Sequence, residues 1–420
     1  MTHLLPLAVK SAWNRRYTLA LTLVAIALSV TLLLGIERLR QDARDSFAQA
    51  VSGTDLVVGA RTSPIQLLLY TVFRLGEATN NLGWDSAQAL AAHPAVAWTI
   101  PLSLGDSHRD FPVLGTTPAY FQHFRYGDRQ ALALAQGKPF AGIFEAVLGA
   151  EVARRLGYKQ GDHITLAHGM EASGLAEHGD KPFTVVGILA RTGTPVDRTV
   201  HISLEAIEAI HLDWQGGAPM PGLAIPPDLV KKFDLTPKAV TAVLVGLKTR
   251  AGVFAMQRWV ANYRDEALMG VLPGVALSQL WEMMAVAEKA LLAVSALVVA
   301  VSFAGLVAVV LAGLGERRRE LAILRSVGAR PRDLLVLLAF EGAVVTLAAI
   351  AAGVALLAIL SAALGPWAQA HYGLALSVAL PGGEEWRLLG GVVLVGTLAS
   401  LLPGWRAYRL SLADGLTPRV

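Results

Sequence analysis

Long uncharged apolar runs occur near the start of the chain and again through its last third. Thr18–Ile36 gives 19 residues without a charge and Ala290–Leu314 gives 25. Leu334–Leu364 is a third run, interrupted only by Glu341, and Leu388–Leu402 is a shorter fourth that ends at Pro403. Crossing ~30 Å of hydrocarbon at 1.5 Å per residue takes about 20 apolar residues. The pattern therefore predicts a membrane protein with four transmembrane α-helices: 18–36, 290–314, 334–364 and 388–403. A large extracytoplasmic domain lies between the first and the second.

The pattern changes on leaving the first run. Ile36, Leu39, Ala43, Phe47 and Ala50 recur at helical spacing, as do Leu277, Leu280, Trp281, Met284 and Ala287 before the second run. These predict stalk helices over 37–52 and 276–289 that carry the membrane helices outward. Residues 53–275 mix short β-rich runs with helical pieces. The β-rich runs are Leu56–Val58, Val113–Leu114, Ile164–Leu166, Phe183–Ile188, Thr199–Ile202 and Val240–Leu247. The helical pieces are Asp85–Ala92, Phe144–Leu156 and Leu204–Ile210. Such a mixture reads as an α+β domain in two subdomains. The Gly/Pro-rich stretch 216–227 is a loop or boundary. Pro64–Arg74 is apolar enough to touch lipid, but a helix buried in the domain is the simpler reading.

Composition narrows the class. Apolar residues make up 54% and charged residues 16%, against ~25% charged in ordinary soluble domains. That excludes a disordered chain and argues against a fully soluble enzyme. Cysteine is absent, which removes disulfides, thiolate metal sites, cysteine nucleophiles and lipid-modified cysteines. The net charge of +4 is distributed by side. Lys10, Arg15 and Arg16, then Arg317, Arg318, Arg319, Arg325, Arg330 and Arg332, then Arg406, Arg409 and Arg419 outnumber the acids of their segments. Loop 365–387 carries only Arg387 against Glu384 and Glu385. By the positive-inside rule both termini and segment 315–333 are cytoplasmic. The first apolar run exceeds the 7–15 residues of a signal sequence, so it reads as an uncleaved anchor. The basic charge records orientation, and nothing in it calls for nucleic acid.

Catalytic motifs are lacking. No G-x-x-x-x-G-K-[ST], H-E-x-x-H or G-x-S-x-G occurs, so no catalytic residue is assigned. His163, His168 and His178 flank a Gly-rich stretch with Glu171, Glu177 and Asp180 nearby. Their spacing fits no closed zinc or copper site, so no metal is assigned and these three stand only as weak candidates. Ala296, Ala300, Ala304, Ala308 and Ala312 lie four apart in the second span, a spacing that lets helices approach closely. Glu341 sits inside the third span, where a charge costs roughly 2.5–3.5 kcal/mol at the centre, and it reads as one half of a structural ion pair. The cytoplasmic segment has an apolar face of Leu321, Leu324 and Val327, with Gly328 suited to a C-cap and Pro331 to a restart. It predicts a short amphipathic helix.

The run ERRRELAILRSVGARPRDLLVLLAFEG resembles the signature of FtsX/MacB-type ABC transporter permeases. Glu316, Arg317, Glu320, Leu321, Arg325, Gly328, Ala329 and Glu341 match it. The ending LPGWRAYRLSLADGL resembles the family's tail, departing at Ser411, Leu412 and Gly415. The resemblance implies a permease homodimer or heterodimer working with a cytoplasmic ATPase that binds ATP and Mg. This chain would need no cofactor of its own. Glu316–Glu320, Leu321, Leu324, Arg325, Gly328 and Ala329 would form the coupling helix docked on that ATPase. MacB carries a fused ATPase, which this chain lacks, so the ATPase is expected on a separate polypeptide. The outer domain would combine a porter-like part with an inserted subdomain and work on a periplasmic substrate by mechanotransmission. The resemblance leaves room for a periplasmic adaptor or substrate-binding protein. It places the chain in the bacterial inner membrane, in contact with lipid. Two other functions fit the residues: a transmembrane regulator of a cell-wall hydrolase, and a membrane-anchored sensor or scaffold.

Overall fold

The computed structural model describes residues 16–76, 78, 80–169, 178–215, 218–220, 225–316, 325–326, 330–372 and 376–409. Two compact units divide the chain. One is helical: Met1–Asp42, Ala285–Trp367 and Leu376–Val420. The other is α/β: Ala43–Met284 with Ala368–Ala375.

The helical unit is built from four long helices: α1 (Arg16–Gln49), α9 (Pro273–Glu316), α10 (Pro331–Tyr372) and α11 (Gly383–Arg409). Each is long and apolar enough to cross a membrane, and each runs beyond its apolar stretch. Thus α10 continues past Leu364 through Pro366, and α11 begins at Gly383. Their shared core takes Ile26, Val30 and Leu34 from α1 and Val299, Phe303 and Leu306 from α9. Ala349 and Leu357 of α10 and Leu389 and Val392 of α11 complete it. Small residues set the spacing. A Cβ on Gly396 would lie 2.6 Å from Thr346 Oγ1 and 2.9 Å from Phe303 Cε1. Hydroxyls join the helices where apolar attraction is weak in lipid: Ser29 and Ser302 share a hydrogen bond of 2.7 Å, and Thr31 donates to the Gly353 carbonyl at 3.1 Å.

The α/β unit is organised on one sheet of eleven strands. In chain order these are β1 (Leu56–Ala60), β2 (Val96–His108), β3 (Phe111–Thr116), β4 (Leu134–Gly137), β5 (Glu145–Leu148) and β6 (His163–Ile164). They continue with β7 (Ala167–His168), β8 (Phe183–Leu189), β9 (Val200–Ser203), β10 (Ala242–Leu247) and β11 (Leu268–Val271). The spatial order is β11-β1-β10-β2-β3-β9-β5-β8-β4, with β7 beside β2 and β6 beside β8. The β9–β3 and β8–β5 pairs are parallel and the rest antiparallel. Helices α2 (Pro64–Phe73), α3 (Trp84–Ala91), α4 (Ala119–His123), α5 (Ala150–Leu156), α6 (Leu204–His211), α7 (Pro227–Val230) and α8 (Val253–Ala261) complete it.

The β1 run Leu-Val-Val is continuously apolar because both faces of the strand are covered. Leu56 and Val58 enter one core with Val243, Val245, Leu90 and Val260, while Val57 enters another with Leu244, Ile100, Leu68 and Leu277. A single sheet runs through the unit. The 13-residue β2 makes it continuous. Its first half pairs with β10, and its second half pairs with β3 and β7. Phe144–Leu156, expected to be helical, is divided: Glu145–Leu148 is strand β5 and the helix starts only at Ala150. Gly149 between them is extended (φ −65°, ψ 152°), and a Cβ there would collide with the carbonyl oxygens of Val196 and Asp197. Pro64–Phe73 is the buried helix α2, covering Leu67, Leu68, Val72 and Phe73.

Candidate functional site

A group of side chains able to hold a metal ion stands out among the described residues: Asp106, His168, His178 and His211. Each offers one ligand atom, and these atoms all lie within 4.8 Å of one another. They come from four places in the chain. In β2 the register against β3 shifts between Leu104 and Ser107, and Gly105 takes φ +147°, a value that favours glycine. Such a bulge re-aims the side chain that follows it, here Asp106, which is 5% exposed. Strand β7 pairs with β2 so that His168 is opposite Asp106. Ser107 Oγ donates to the Gly169 carbonyl, and Gly169 N–H donates to Gly105. His178 is pinned by its own N–H on the Leu166 carbonyl at 2.8 Å. His211 closes α6, a helix whose N-cap Ser203 accepts from Ala206 N–H at 3.1 Å and whose Leu204, Ala206, Ala209 and Ile210 are buried.

The distances are short. His168 Nδ1 lies 3.1 Å from Asp106 Oδ1 and 3.2 Å from His211 Nε2, and His211 Nε2 lies 3.6 Å from Asp106 Oδ1. His211 Nδ1 faces the Ile207 carbonyl at 2.8 Å. His178 is wholly buried, and neither of its ring nitrogens has a hydrogen-bond partner among the described residues. The Trp214 ring covers it, with centroids 4.0 Å apart. Beside it the buried Lys181 ammonium is held by Asp213 at 2.7 and 2.8 Å and by Asp180 at 2.7 Å.

The electrostatics follow from this packing. Burial pushes the Asp106 carboxyl up, but the hydrogen bonds of His168 and His211 outweigh it and hold the group at about 2. Burial, aided by the positive field of His211, pushes the His178 ring down to about 4. For His211 burial acts downward and Asp106 upward, and the carboxylate wins. The result is an ionised carboxylate beside an imidazole kept neutral at physiological pH.

Two of the three histidines singled out in the sequence meet here. His163, on β6, does not: it is exposed and faces Thr184 Oγ1 at 3.3 Å. Asp106 and His211 escape sequence reasoning. Their faint signals are a glycine followed by an acid inside a strand, and a histidine in the last turn of a helix. Of the coupling residues, Arg317–Leu324 and 327–329 lie outside the described residues, as does the side chain of Glu316. Arg325 is described and helical. Ala296, Ala300, Ala304, Ala308 and Ala312 are all exposed on α9, while Ser295, Val299, Phe303 and Leu306 face the chain's own core. Glu341 is half-buried on α10.

Among the described residues, four apolar helices in a one-plus-three order, with a large α/β domain between the first and second, define a multi-pass membrane protein. The model of the MacB-like periplasmic core domain matches residues 19–231, and that of the FtsX-like permease C-terminal region matches residues 292–412. The first alone covers half of the chain, and the chain belongs to the FtsX/MacB-like family of permeases, multi-pass proteins of the inner membrane. The crystal structure of the periplasmic region of MacB from Actinobacillus actinomycetemcomitans is similar over 56% of this chain and 95% of its own, at 10% identity and a TM-score of 0.35. The extracellular domain of the noncanonic ABC-type transporter YknZ from Gram-positive bacteria is similar over 51% and 98%, at 11% identity and a TM-score of 0.29. No curated protein matches the chain.

Proposed function

We propose that the chain is the permease subunit of an ABC transporter that couples ATP hydrolysis by a partner ATPase to conformational work on an extracytoplasmic substrate. The observation that carries this reading is the order of the two family matches along one chain, the MacB-like core first and the FtsX-like permease region after it. The junction between α9 and α10, residues 316–329, is basic in sequence and serves as the element that couples to the ATPase. Both termini lie on the same cytoplasmic side as that junction, because the arginines concentrate there. The exposed alanine stripe of α9 supplies the contact with a second permease, since small residues let two helices approach closely in lipid. ATP and Mg belong to the ATPase, because no nucleotide-binding loop occurs in this sequence.

Co-expression with the candidate ATPase tests the reading. Arg325→Glu is expected to abolish co-purification of the ATPase while leaving the permease folded and membrane-inserted. Unchanged association and unchanged ATP-dependent function in that variant would remove the coupling role.

A further inference from the structure

We infer that Asp106, His168, His178 and His211 form a binding site for one divalent transition-metal ion of the zinc class, held by three imidazole nitrogens and one carboxylate oxygen. The inference stands on the α/β unit alone and does not depend on the transport reading.

Three features of the geometry support it. First, ligands ~2.0 Å from a tetrahedral ion stand about 3.3 Å from one another. The three distances among Asp106, His168 and His211, at 3.1, 3.2 and 3.6 Å, bracket that value, and those to His178 lie within 4.8 Å. Second, the ligating atoms converge on one point. The Ile207 carbonyl accepts from His211 Nδ1, which leaves His211 Nε2 as the atom that faces the group. Asp106 brings only lone pairs when ionised. Without an ion, a proton on His211 or His168 has to bridge the rings and the carboxylate. A cation at the centre satisfies all of them at once. A carbonyl behind the ring of a ligating histidine is also the usual arrangement around bound metals, because it sets the tautomer and orients the ring.

Third, His178 has no exposure, and neither of its nitrogens has a partner among the described residues. A buried polar ring left unsatisfied costs stability, and ligation through either nitrogen removes that cost. The ring is held in place by Trp214 on its face and by its backbone hydrogen bond to Leu166. Lys181 and Asp213 brace the adjoining segment. The donor set also selects the ion. Nitrogen with one carboxylate oxygen, and no sulfur, suits zinc better than the hard ions that want six or more oxygens. The His168 side chain is 42% exposed and forms the open edge of the site, so the ion can enter and leave from solvent. In a domain without cysteine, the ion would tie together β2, β7 and the end of α6, the role a disulfide would otherwise play.

The test uses the full-length chain without a polyhistidine tag, purified in detergent, stripped with a chelator, dialysed and titrated with zinc chloride. Bound metal per chain, affinity against a chromophoric competitor and melting temperature are read together. The wild type is expected to bind one zinc per chain and to melt higher when zinc is added, because selective binding to the folded state must stabilise it. Cobalt(II) is expected to give the intense visible absorption of a tetrahedral site. His168→Ala changes an exposed side chain and is expected to keep the metal-free melting temperature while binding zinc at least ~10-fold more weakly. Asp106→Asn is expected to lose affinity similarly. His163→Ala, outside the group, is expected to bind as the wild type does. The proposal is overturned if the wild type takes up less than one zinc, or if His168→Ala and Asp106→Asn retain wild-type affinity. Loss of binding in His163→Ala would overturn it too.

Discussion

Arg38 of α1 and Glu385 in the first turn of α11 form a two-pronged ion pair, with Nε to Oε1 and Nη2 to Oε2 both at 3.0 Å. Their side chains are 8% and 3% exposed. Glu385 Oε2 also accepts from the Gly382 N–H at 2.7 Å, which caps the start of α11. The pair thus joins the C-terminal part of the first long helix to the beginning of the last.

Removing one partner strands a buried charge, which costs on the order of 3–5 kcal/mol, whereas an apolar replacement of both is often neutral. Arg38→Met and Glu385→Leu are each expected to lower the unfolding midpoint of the detergent-solubilised protein sharply, and the double variant to recover most of the loss. Equal losses in all three would mean that the pair is not the relevant contact.

The glycines of α10 and α11 make a second prediction. Gly396 lies against Thr346 and Phe303, and Gly342 lies against Ser400. Gly396→Val would force helices apart and is expected to cost roughly 1–3 kcal/mol. Gly390 faces open space, so Gly390→Ala is expected to leave the midpoint unchanged or slightly raised. Equal tolerance of both substitutions would show that the helices are not packed closely at Gly396.

How much of this was open to the sequence depends on the range of the forces involved. The four helices are legible because a membrane span is a local property, and Thr18–Ile36 needs no knowledge of its neighbours. Strand β1 is legible for the same reason. Its place between β10 and β11 is not, because the partners of Leu56–Ala60 lie near residues 242–245 and 268–271. The sequence shows the alanine stripe of α9, but the glycines that do the packing within the chain appear only when α10 and α11 are placed side by side. At the metal-ligating group, His168 and His178 are near neighbours in sequence and invite attention. Asp106 reaches them through a β-bulge and strand pairing, and His211 through the length of α6, and no spacing rule connects these positions.

The exposed stripe can be probed directly because the chain has no cysteine. Ala304→Cys, on the exposed face of α9, is expected to cross-link two permeases on mild oxidation in membranes. Ser295→Cys, fully buried in the chain's own bundle, is expected to stay monomeric on the same gel. Cross-linking of Ser295→Cys with none of Ala304→Cys would place the dimer contact elsewhere on the helix.

The last prediction concerns acid. His201, on β9, is fully buried, with Nδ1 facing the Val147 carbonyl at 3.2 Å and the Tyr120 ring 5.2 Å away. Burial, with the Arg74 cation adding to it, pushes the ring down to about 3. An unfolded chain takes up a proton on this histidine near pH 6.5, and the folded domain refuses it until about pH 3. Between those values the unfolded state binds more protons, so stability falls as the pH falls, by up to about 1.4 kcal/mol per pH unit from this group. Above pH 6.5 the ring is neutral in both states and contributes no slope. The melting temperature of the full-length protein is expected to drop between pH 7 and pH 5. His201→Phe, with no titrating ring, is expected to lose less over the same interval, whatever its stability at pH 7. Identical pH slopes for the two proteins would show that this buried histidine is not a source of the acid sensitivity.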